Sequence, residues 1–387
     1  MEKYSGFRDA ATGLQPFLNP VPPQTSDALP RVVLPIGYLI GAVRTVLVLL
    51  VTLLYILLVK GTCMIFLPVP PLYRFVSGVL TSLLTRLALF IIGFYWIPVT
   101  VTSRKRGRAG KDASSESWAP LSGDLIVSNW VSWVEILWLA FRFNPTFVIP
   151  IAERPVSNPA PGSTFSPSRK TGRQTGTGSA NISMSTPVSA AVRTRAPIRG
   201  FKQISLLRMI GLTGRLPPFD EDATGARSLD DIRRSAGRPV VVFPECTTSN
   251  GRALLQFADV FGSEVKVPIK GYSIYVICVR YDPPTPLSPS LALSIPSASS
   301  ILNPTAHLFQ ISTNLIPQSI SIRLLPPSES PSAATFAVSD IVSVTTMALA
   351  DNKILKESCE ALVAGLGKLK RTQLSWEDKG ALIEMMK

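Results

Sequence analysis

Two long apolar segments near the N-terminus constrain this chain more than any other feature of its sequence. The first runs from Val33 to Val59 with Arg44 as its only charge, and the second runs from Phe75 to Val99 with Arg86 as its only charge. A helix of about 20 apolar residues is long enough to cross the hydrocarbon core of a bilayer. Both segments therefore predict membrane-embedded helices.

A proline-rich turn separates these segments. The sequence LPVPP at 67–71 does not allow one continuous helix, so residues 32–100 predict a two-helix membrane hairpin that spans the bilayer or dips into it and returns. Arg44 and Arg86 favour a shallow or tilted insertion, because long basic side chains reach toward the interface. The alternative is a pair of buried helices in a soluble core, which the length of the segments and their lack of polar faces disfavour.

Basic residues follow the second apolar segment directly. The chain has a formal net charge of +14, with one basic run at 104–111 and a second basic block at 154–202. Nucleic acid is one partner for such charge, but these runs lack interleaved aromatic residues. Membrane lipids with anionic headgroups fit better, and no nucleic-acid partner is expected. The first run also predicts that both ends of the hairpin face the cytosol.

The cysteine and histidine content argues against a metal centre. Cys63, Cys246, Cys278 and Cys359 form no CxxC pair and no metal-like spacing, and His307 is the only histidine. We expect the thiols to be reduced or buried, and we expect no metal site and no tightly bound cofactor. His307 is expected to be a satisfied or surface side chain.

Composition divides the remaining chain. Residues 1–31 are polar and contain several prolines, which predicts a flexible lead, and the apolar segment begins too late for a secretory signal. Residues 118–345 alternate short strands with helices, which predicts a layered α/β domain. Residues 152–197 have almost no large apolar side chains and predict a disordered insertion. Residues 346–387 predict a helical C-terminal segment.

The predicted elements follow the apolar periodicity. The strands are expected at 123–129, 146–150, 239–243, 272–281 and 319–325, and the helices at 131–143, about 202–211, 226–236, 350–364 and 376–386. Ser375 and Asp378 form a capping signature ahead of the last helix.

The sequence VVVFPECTTSNGRALLQF at 240–257 is the clearest candidate for a site. A buried strand delivers a proline and a carboxylate, Glu245, to its end, where α/β proteins place ligands. Thr247, Thr248 and Asn250 offer hydrogen-bond donors for an oxyanion, and Arg252 offers a planar fork suited to phosphate. We expect Glu245 to hold the loop by accepting backbone N–H bonds. The alternative is an ordinary polar turn with a solvated Arg252.

A second candidate, SNWVSWVEI at 128–136, places a carboxylate among indoles. Glu135 lies close in sequence to Trp130, Trp133 and Trp138. A buried carboxylate needs a partner or a task, because its desolvation is costly. Desolvation is expected to raise the pKa of Glu135.

These two stretches resemble the conserved blocks of the glycerolipid acyltransferases. FPECTTSNGRALL is similar to the FPEGT block of that family, in the variant ending TSNGR of the lysophosphatidylcholine acyltransferases, the lipid-droplet "ancient ubiquitous protein" group and fungal lysophosphatidic acid acyltransferases. VPIKGYSIYVICVRYDPP at 267–284 resembles the block that follows. The resemblance covers residues 120–285 and extends to the hairpin ahead of them.

The resemblance implies an acyltransferase-type layered α/β domain behind the hairpin. It implies transfer of a fatty acyl group from acyl-CoA, as co-substrate, to a lysophospholipid, with lysophosphatidic acid first among the acceptors. It also implies a location at the endoplasmic reticulum or on lipid droplets. The competing function is a catalytically impaired member of the fold that binds lipids or recruits partners.

The chain departs from the family at its catalytic residues. In the family's Asn-His-x4-Asp block, Trp130 stands at the position of the His and Glu135 at the position of the Asp, with the spacing intact. Cys246 stands where the family has Gly. An indole N–H only donates, so Trp130 cannot act as a base. Glu135 is then the candidate base, and the alternative is a structural residue bonded to backbone at the start of its helix. A Cys246–His307 nucleophile pair is the rival chemistry.

Overall fold

The computed structural model describes residues 4–22, 28–105, 110, 113, 115–153, 195–219, 225–262, 267–297, 303–341 and 353–386. The predicted insertion at 152–197 lies outside the described residues over 154–194. The middle of each basic run also lies outside them.

The described chain combines helices with a parallel-rich sheet. The helices are α1 (Ala28–Tyr55), α2 (Pro70–Ile92), α3 (Val134–Phe143), α4 (Leu206–Gly211), α5 (Leu229–Ser235), α6 (Thr305–Ser312), α7 (Ile354–Gly367) and α8 (Trp376–Met386). The strands are β1 (Val99–Val101), β2 (Leu125–Ser128), β3 (Thr146–Ala152), β4 (Ile198–Ile204), β5 (Val240–Val242), β6 (Ala253–Leu254), β7 (Ile274–Tyr281), β8 (Ile320–Leu324) and β9 (Lys370–Arg371).

Seven strands form the main sheet in the order β1-β8-β7-β2-β5-β3-β4. Its centre is parallel, because β2 pairs in parallel with both β5 and β7, and β3 pairs in parallel with β5. The pairs β7–β8 and β3–β4 are antiparallel. Strands β6 and β9 form a separate two-stranded sheet. The α/β class predicted from the sequence is confirmed at this level.

Apolar side chains cover both faces of the central strands, as a parallel sheet buried between helices requires. Along β2, Ile126 packs into one core with α3 and the hairpin helices. Leu125 and Val127 pack into a second core with α7 on the opposite face. The sheet therefore separates a hairpin side from a C-terminal side.

The two apolar helices have the predicted proline break. Helix α1 continues through irregular helical turns to Phe66, and α2 starts at Pro70 with prolines in its first turn. The segments Leu34–Phe66 and Pro70–Ile92 have mean hydropathies of 2.6 and 2.0, so each is long and apolar enough to span a membrane.

The hairpin packs on the α/β domain along one side only. Helix α2 contacts α3 and α1 contacts α6, whereas Leu39, Phe75 and Leu83 are 69%, 70% and 62% exposed. Large exposed apolar surface of this kind marks a surface that contacts a membrane or another protein.

Both arginines of the apolar segments bind backbone carbonyls. Arg44 Nη1 donates to Asn314 O at 2.6 Å and to Ser312 O at 3.3 Å. Arg86 donates to the carbonyls of Phe94 and Tyr95, just after α2. These bonds engage guanidinium donors of both arginines with backbone oxygen atoms.

Three regions differ from the sequence expectation. Residues 4–22, predicted to be a flexible lead, lie against the domain, where Phe17 is fully buried. The helix expected at about 202–211 begins only at Leu206, because 198–204 pair with β3 as β4. Helix α6, which the sequence analysis did not predict, follows the loop predicted at 282–304. The predicted cap of the last helix is confirmed, since Asp378 Oδ2 accepts from Ser375 N at 2.9 Å.

Both flanks of the hairpin join the same domain, and this predicts its topology. The segment before α1 packs on the domain, and the strand after α2, β1, pairs with β8. We expect tags at both termini to be digested by protease added outside sealed microsomes, with a luminal protein as the protected control. Protection of one tag and digestion of the other would contradict a hairpin.

Candidate functional site

Glu245 joins the loops that follow β2 and β5. Its Oε1 accepts a hydrogen bond from Trp130 N at 2.8 Å, and its Oε2 accepts one from Leu255 N at 3.0 Å. The side chain is fully buried. Burial raises the pKa of Glu245 to about 8, and the two N–H bonds oppose that rise. Glu245 therefore fixes the two strand-end loops relative to each other.

Cys246 has a left-handed backbone conformation. Its φ is +58°, a region that glycine adopts at no steric cost, whereas other residues pay for it. A glycine would adopt this conformation at Cys246 without that cost. Burial raises the pKa of the Cys246 thiol well above its usual value, so the thiol is held in its unreactive neutral form.

Lys379, on α8, is a buried lysine that bonds to the same loop, and the sequence analysis missed it. Its Nζ donates to Thr247 Oγ1 at 2.6 Å and to Thr248 O at 2.9 Å, and the side chain is fully buried. Burial lowers the pKa of Lys379 well below its usual value, and the charge of Glu245 opposes this. No local pattern singles out this lysine, because its partners lie about 130 residues away.

The two threonine hydroxyls of the loop donate to the chain itself. Thr247 Oγ1 donates to Arg215 O at 2.9 Å, and Thr248 Oγ1 donates to Leu293 O at 2.6 Å. Both side chains are fully buried. In this conformation these hydroxyls shape the loop and do not face a ligand.

The N-terminal segment, residues 4–22, takes up the amide of Asn250. Asn250 Nδ2 donates to Gln15 O at 2.7 Å and to Leu18 O at 2.9 Å, and Asn250 N donates to Pro16 O. Phe17 is buried against Leu255 and Leu382. The segment thus packs over the loop predicted to meet substrate.

Arg252 has a different environment from the other predicted site residues. Its backbone N donates to Asn250 Oδ1 at 3.1 Å, but its side chain is exposed. Since Glu135 and Glu245 are fully buried, the structure does not bring the guanidinium together with either carboxylate.

Glu135 lies at the start of α3, and its carboxylate accepts three hydrogen bonds. Oε1 accepts from Val131 N at 2.5 Å and Ser132 N at 3.2 Å, and Oε2 accepts from Tyr281 Oη at 2.6 Å. Burial raises the pKa of Glu135 to about 8, against these hydrogen bonds, which lower it. The two backbone bonds are those expected if Glu135 is a structural residue at the start of its helix. The sequence analysis did not predict the bond from Tyr281.

Trp130 lies next to both carboxylates but leaves its own polar atom unpaired. It is 2% exposed and stacks on Phe243 with the ring centroids 5.1 Å apart. Within the described part of the chain, its indole Nε1 has no hydrogen-bond partner. A buried donor without a partner is destabilising.

His307 is a satisfied buried histidine. Trp133 Nε1 donates to His307 Nδ1 at 3.0 Å, and His307 Nε2 lies 3.0 Å from Ser290 O. Because Nδ1 accepts, Nε2 carries the proton and donates to Ser290 O. Burial lowers the pKa of His307 to about 4, so the ring is neutral. Both nitrogens are engaged away from Cys246, and the structure does not form the rival nucleophile pair.

An apolar cavity of about 160 Å³ lies between the hairpin and the α/β domain. Side chains from α1, α2, α3, α4 and α6 surround it, among them Tyr55, Trp133, Leu137, Leu206 and Leu308. Trp133 belongs to the same loop-helix junction as Glu135. Trp133 and Leu137 bring the start of α3 into the cavity wall, and Glu135 is not among the described residues that line it.

Comparisons with protein-family models, with curated proteins and with solved structures give no match to this chain. Among the described residues, no group of three or more His, Cys, Asp or Glu side chains is placed to hold a metal ion.

The raised pKa values predict that stability falls as pH rises. Glu135 has a pKa of about 8 in the folded chain against an ordinary 4.5, so the folded state binds more protons than the unfolded state between these values. The contribution of each such group to the free energy of unfolding should then decrease with pH over this window, by up to about 1.4 kcal/mol per pH unit, whereas the lowered pKa of His307 acts in the opposite direction between about 4 and 6.5. Denaturant unfolding measured at several pH values between about 5 and about 8, inside the window from 4.5 to about 8, gives the slope.

Glu135→Gln should flatten this slope, because an amide does not titrate in this range. The amide oxygen can still accept the backbone hydrogen bonds. The exposed Glu153 provides the matched control, and Glu153→Gln should leave the slope unchanged. An equal slope in wild type and Glu135→Gln would contradict the shifted pKa.

The packing of the N-terminal segment predicts a second stability effect. Phe17→Ala removes a fully buried ring and should lower the free energy of unfolding by about 3 kcal/mol or detach the segment locally. Limited proteolysis should then cut residues 4–22 faster than in wild type. Unchanged cleavage and stability would contradict this packing.

Proposed function

We propose that this protein is a membrane-bound acyltransferase that moves a fatty acyl group from acyl-CoA to a lysophospholipid, with lysophosphatidic acid as the preferred acceptor, in phospholipid and triacylglycerol synthesis. The observation that carries the proposal is the buried Glu135 carboxyl, bonded to Tyr281 at the start of the helix that also lines the apolar cavity. The proposed location is the endoplasmic reticulum or the lipid droplet, with the α/β domain in the cytosol.

Glu135 is the proposed base of the reaction. The hydroxyl oxygen of the lysolipid bonds to the thioester carbonyl carbon, and the carbon–sulfur bond breaks. The hydroxyl proton passes to Glu135, directly or through one water, and is then given to the departing CoA sulfur. A positioned base commonly contributes about 10²–10⁴-fold to the rate. A pKa of about 8 makes Glu135 a stronger base than an ordinary carboxylate.

The remaining site residues have supporting roles in this proposal. Tyr281 orients the Glu135 carboxylate through its hydroxyl. Glu245 and Lys379 hold the loop through their hydrogen bonds, and Trp130 shields the reacting groups from water. Arg252, the exposed cation of the loop, is the proposed contact for the acceptor's phosphate.

A specific observation favours the competing function, lipid binding or partner recruitment without catalysis. Glu135 already accepts two backbone bonds, and the donors of Thr247, Thr248 and Asn250 are engaged within the chain. A chain that only binds lipid would keep the cavity and these structural bonds. It would need no base.

Acyl transfer by the full chain in lipid nanodiscs tests the choice between these functions. With radiolabelled acyl-CoA and a panel of lysolipids, wild type should form product, and the rate should rise from pH 6 to pH 8 because the base must lose its proton near pH 8. Glu135→Gln should lower the rate by about 10²-fold or more. Trp130→His should preserve or raise it.

Glu153→Gln serves as the matched carboxylate control and should retain the wild-type rate. Full activity in Glu135→Gln would place the base elsewhere. If wild type transfers acyl groups to no lysolipid, the binding function replaces the catalytic one.

A further inference from the structure

We infer that the cleft between the bend of the hairpin and the amino-terminal edge of the sheet is a second lipid site, which binds a single-chain lipid with an anionic head. This cleft lies at the opposite edge of the sheet from the Glu245 loop. Residues at the starts of β3 and β5 line it, whereas Trp130 and Glu245 follow the ends of β2 and β5.

The cleft is polar and basic. Its volume is about 310 Å³, and the hairpin contributes Tyr55, Lys60, Tyr73 and Ser77 to its walls. The α/β domain contributes further polar residues to its walls, namely Asn144, Thr146, Gln203, Ser205 and Arg238. No Asp or Glu is present among the described residues that line it.

Arg238 is a half-buried cation whose hydrogen-bond partners are neutral. Its Nη1 donates to Asn144 Oδ1 and its Nη2 donates to Ser77 Oγ, both at 3.0 Å. Arg74 lies close by and repels it electrostatically. A charge removed from water without a counter-charge is costly. An anion in the cleft would offset this cost.

The carbonyl end of α3 also faces this region, since α3 ends at Phe143 and Asn144 is its C-cap. A helix C-terminus is equivalent to about half a negative charge. Arg238, Arg74 and Lys60 together bring three positive charges. The dipole therefore leaves most of the positive charge without an opposite charge.

The basic cleft adjoins the apolar cavity. Tyr55 and Leu206 line both spaces, and from there the cavity extends along α3 to Leu137 and Trp133. An anionic head at Lys60 and Arg238 would place only a short part of a single acyl chain in the cavity, near Trp133, since a cavity of about 160 Å³ holds a group of about the size of benzene. A phosphate head and a carboxylate head share this chemistry, so a lysophosphatidate and a fatty acid are both candidates.

Quenching of Trp133 fluorescence tests the site without any turnover. The full chain, in detergent micelles, is titrated with three probes that carry the same bromine-labelled chain: a lysophosphatidate, a fatty acid and an uncharged monoacylglycerol. The Trp133→Phe variant defines which part of the signal comes from Trp133. We expect saturable quenching by an anionic probe, with an affinity about 10-fold or more above that of the uncharged probe.

Two charge variants locate the head. Lys60→Gln, at an exposed position, and Arg238→Gln should each weaken binding of the anionic probe about 10-fold, and Lys60→Gln keeps the test valid if Arg238→Gln fails to fold. The exposed Lys270 and Arg234 give the matched controls Lys270→Gln and Arg234→Gln, which should bind as wild type does.

The site shares the apolar cavity with the proposed function, but the two are tested separately because binding is measured in the absence of acyl-CoA. Two results would overturn the inference. One is unchanged binding of the anionic probe in both single variants, Lys60→Gln and Arg238→Gln, and the other is equal affinity for charged and uncharged probes. Binding that follows the prediction in a chain that transfers no acyl group would uphold the second site and refute only the acyltransferase proposal. The probe that binds more tightly decides between phosphate and carboxylate heads.

Discussion

The carboxylate of Glu245 is the contact on which the rest of the site depends. One oxygen holds Trp130 N in the loop after β2 and the other holds Leu255 N beyond β5. Two strand-end loops, about 115 residues apart in sequence, are thereby fixed relative to each other. Removing one partner of a buried hydrogen-bonded charge leaves an uncompensated group, so such a contact is difficult to lose without rebuilding its surroundings.

The surroundings of Glu245 balance its charge without a direct ion pair. Lys379, on α8, is fully buried against the same loop and donates to Thr247 and Thr248. The N-terminal segment closes the loop from outside through Asn250. Hydrogen bonds from α8 and from the N-terminal segment therefore hold this loop at the ends of the strands, where α/β proteins place ligands. The apolar cavity is a separate feature, lined in part by the hairpin and the start of α3.

Elements set by local patterns could be predicted from the sequence. The buried strands at 240–242 and 274–281 are continuous apolar runs, and the break between the apolar helices follows from prolines at 67–71. Contacts between distant residues could not be predicted. Tyr281 reaches Glu135 from 146 residues away, and Lys379 reaches Thr247 from 132 residues away.

The donor-rich loop shows why residue type alone does not define a ligand site. Thr247, Thr248 and Asn250 are suitable donors for an oxyanion, but the acceptors are carbonyls of the chain itself. The sequence shows donors and not where the acceptors lie. Conversely, Arg238 has no motif around it. Its guanidinium becomes part of a cleft only because the hairpin packs beside it, where Ser77 accepts its hydrogen bond.

In the proposed reaction, the buried carboxyl of Glu135 at the start of α3 acts as the base. Infrared titration of the Glu135 carboxyl in the full chain, assigned by its loss in Glu135→Gln, measures the ionisation directly. We expect a protonated carboxyl at pH 6 that ionises near pH 8, with the same midpoint as the rate of acyl transfer. A carboxylate already ionised at pH 6, or a rate that titrates at a different pH, would contradict the account.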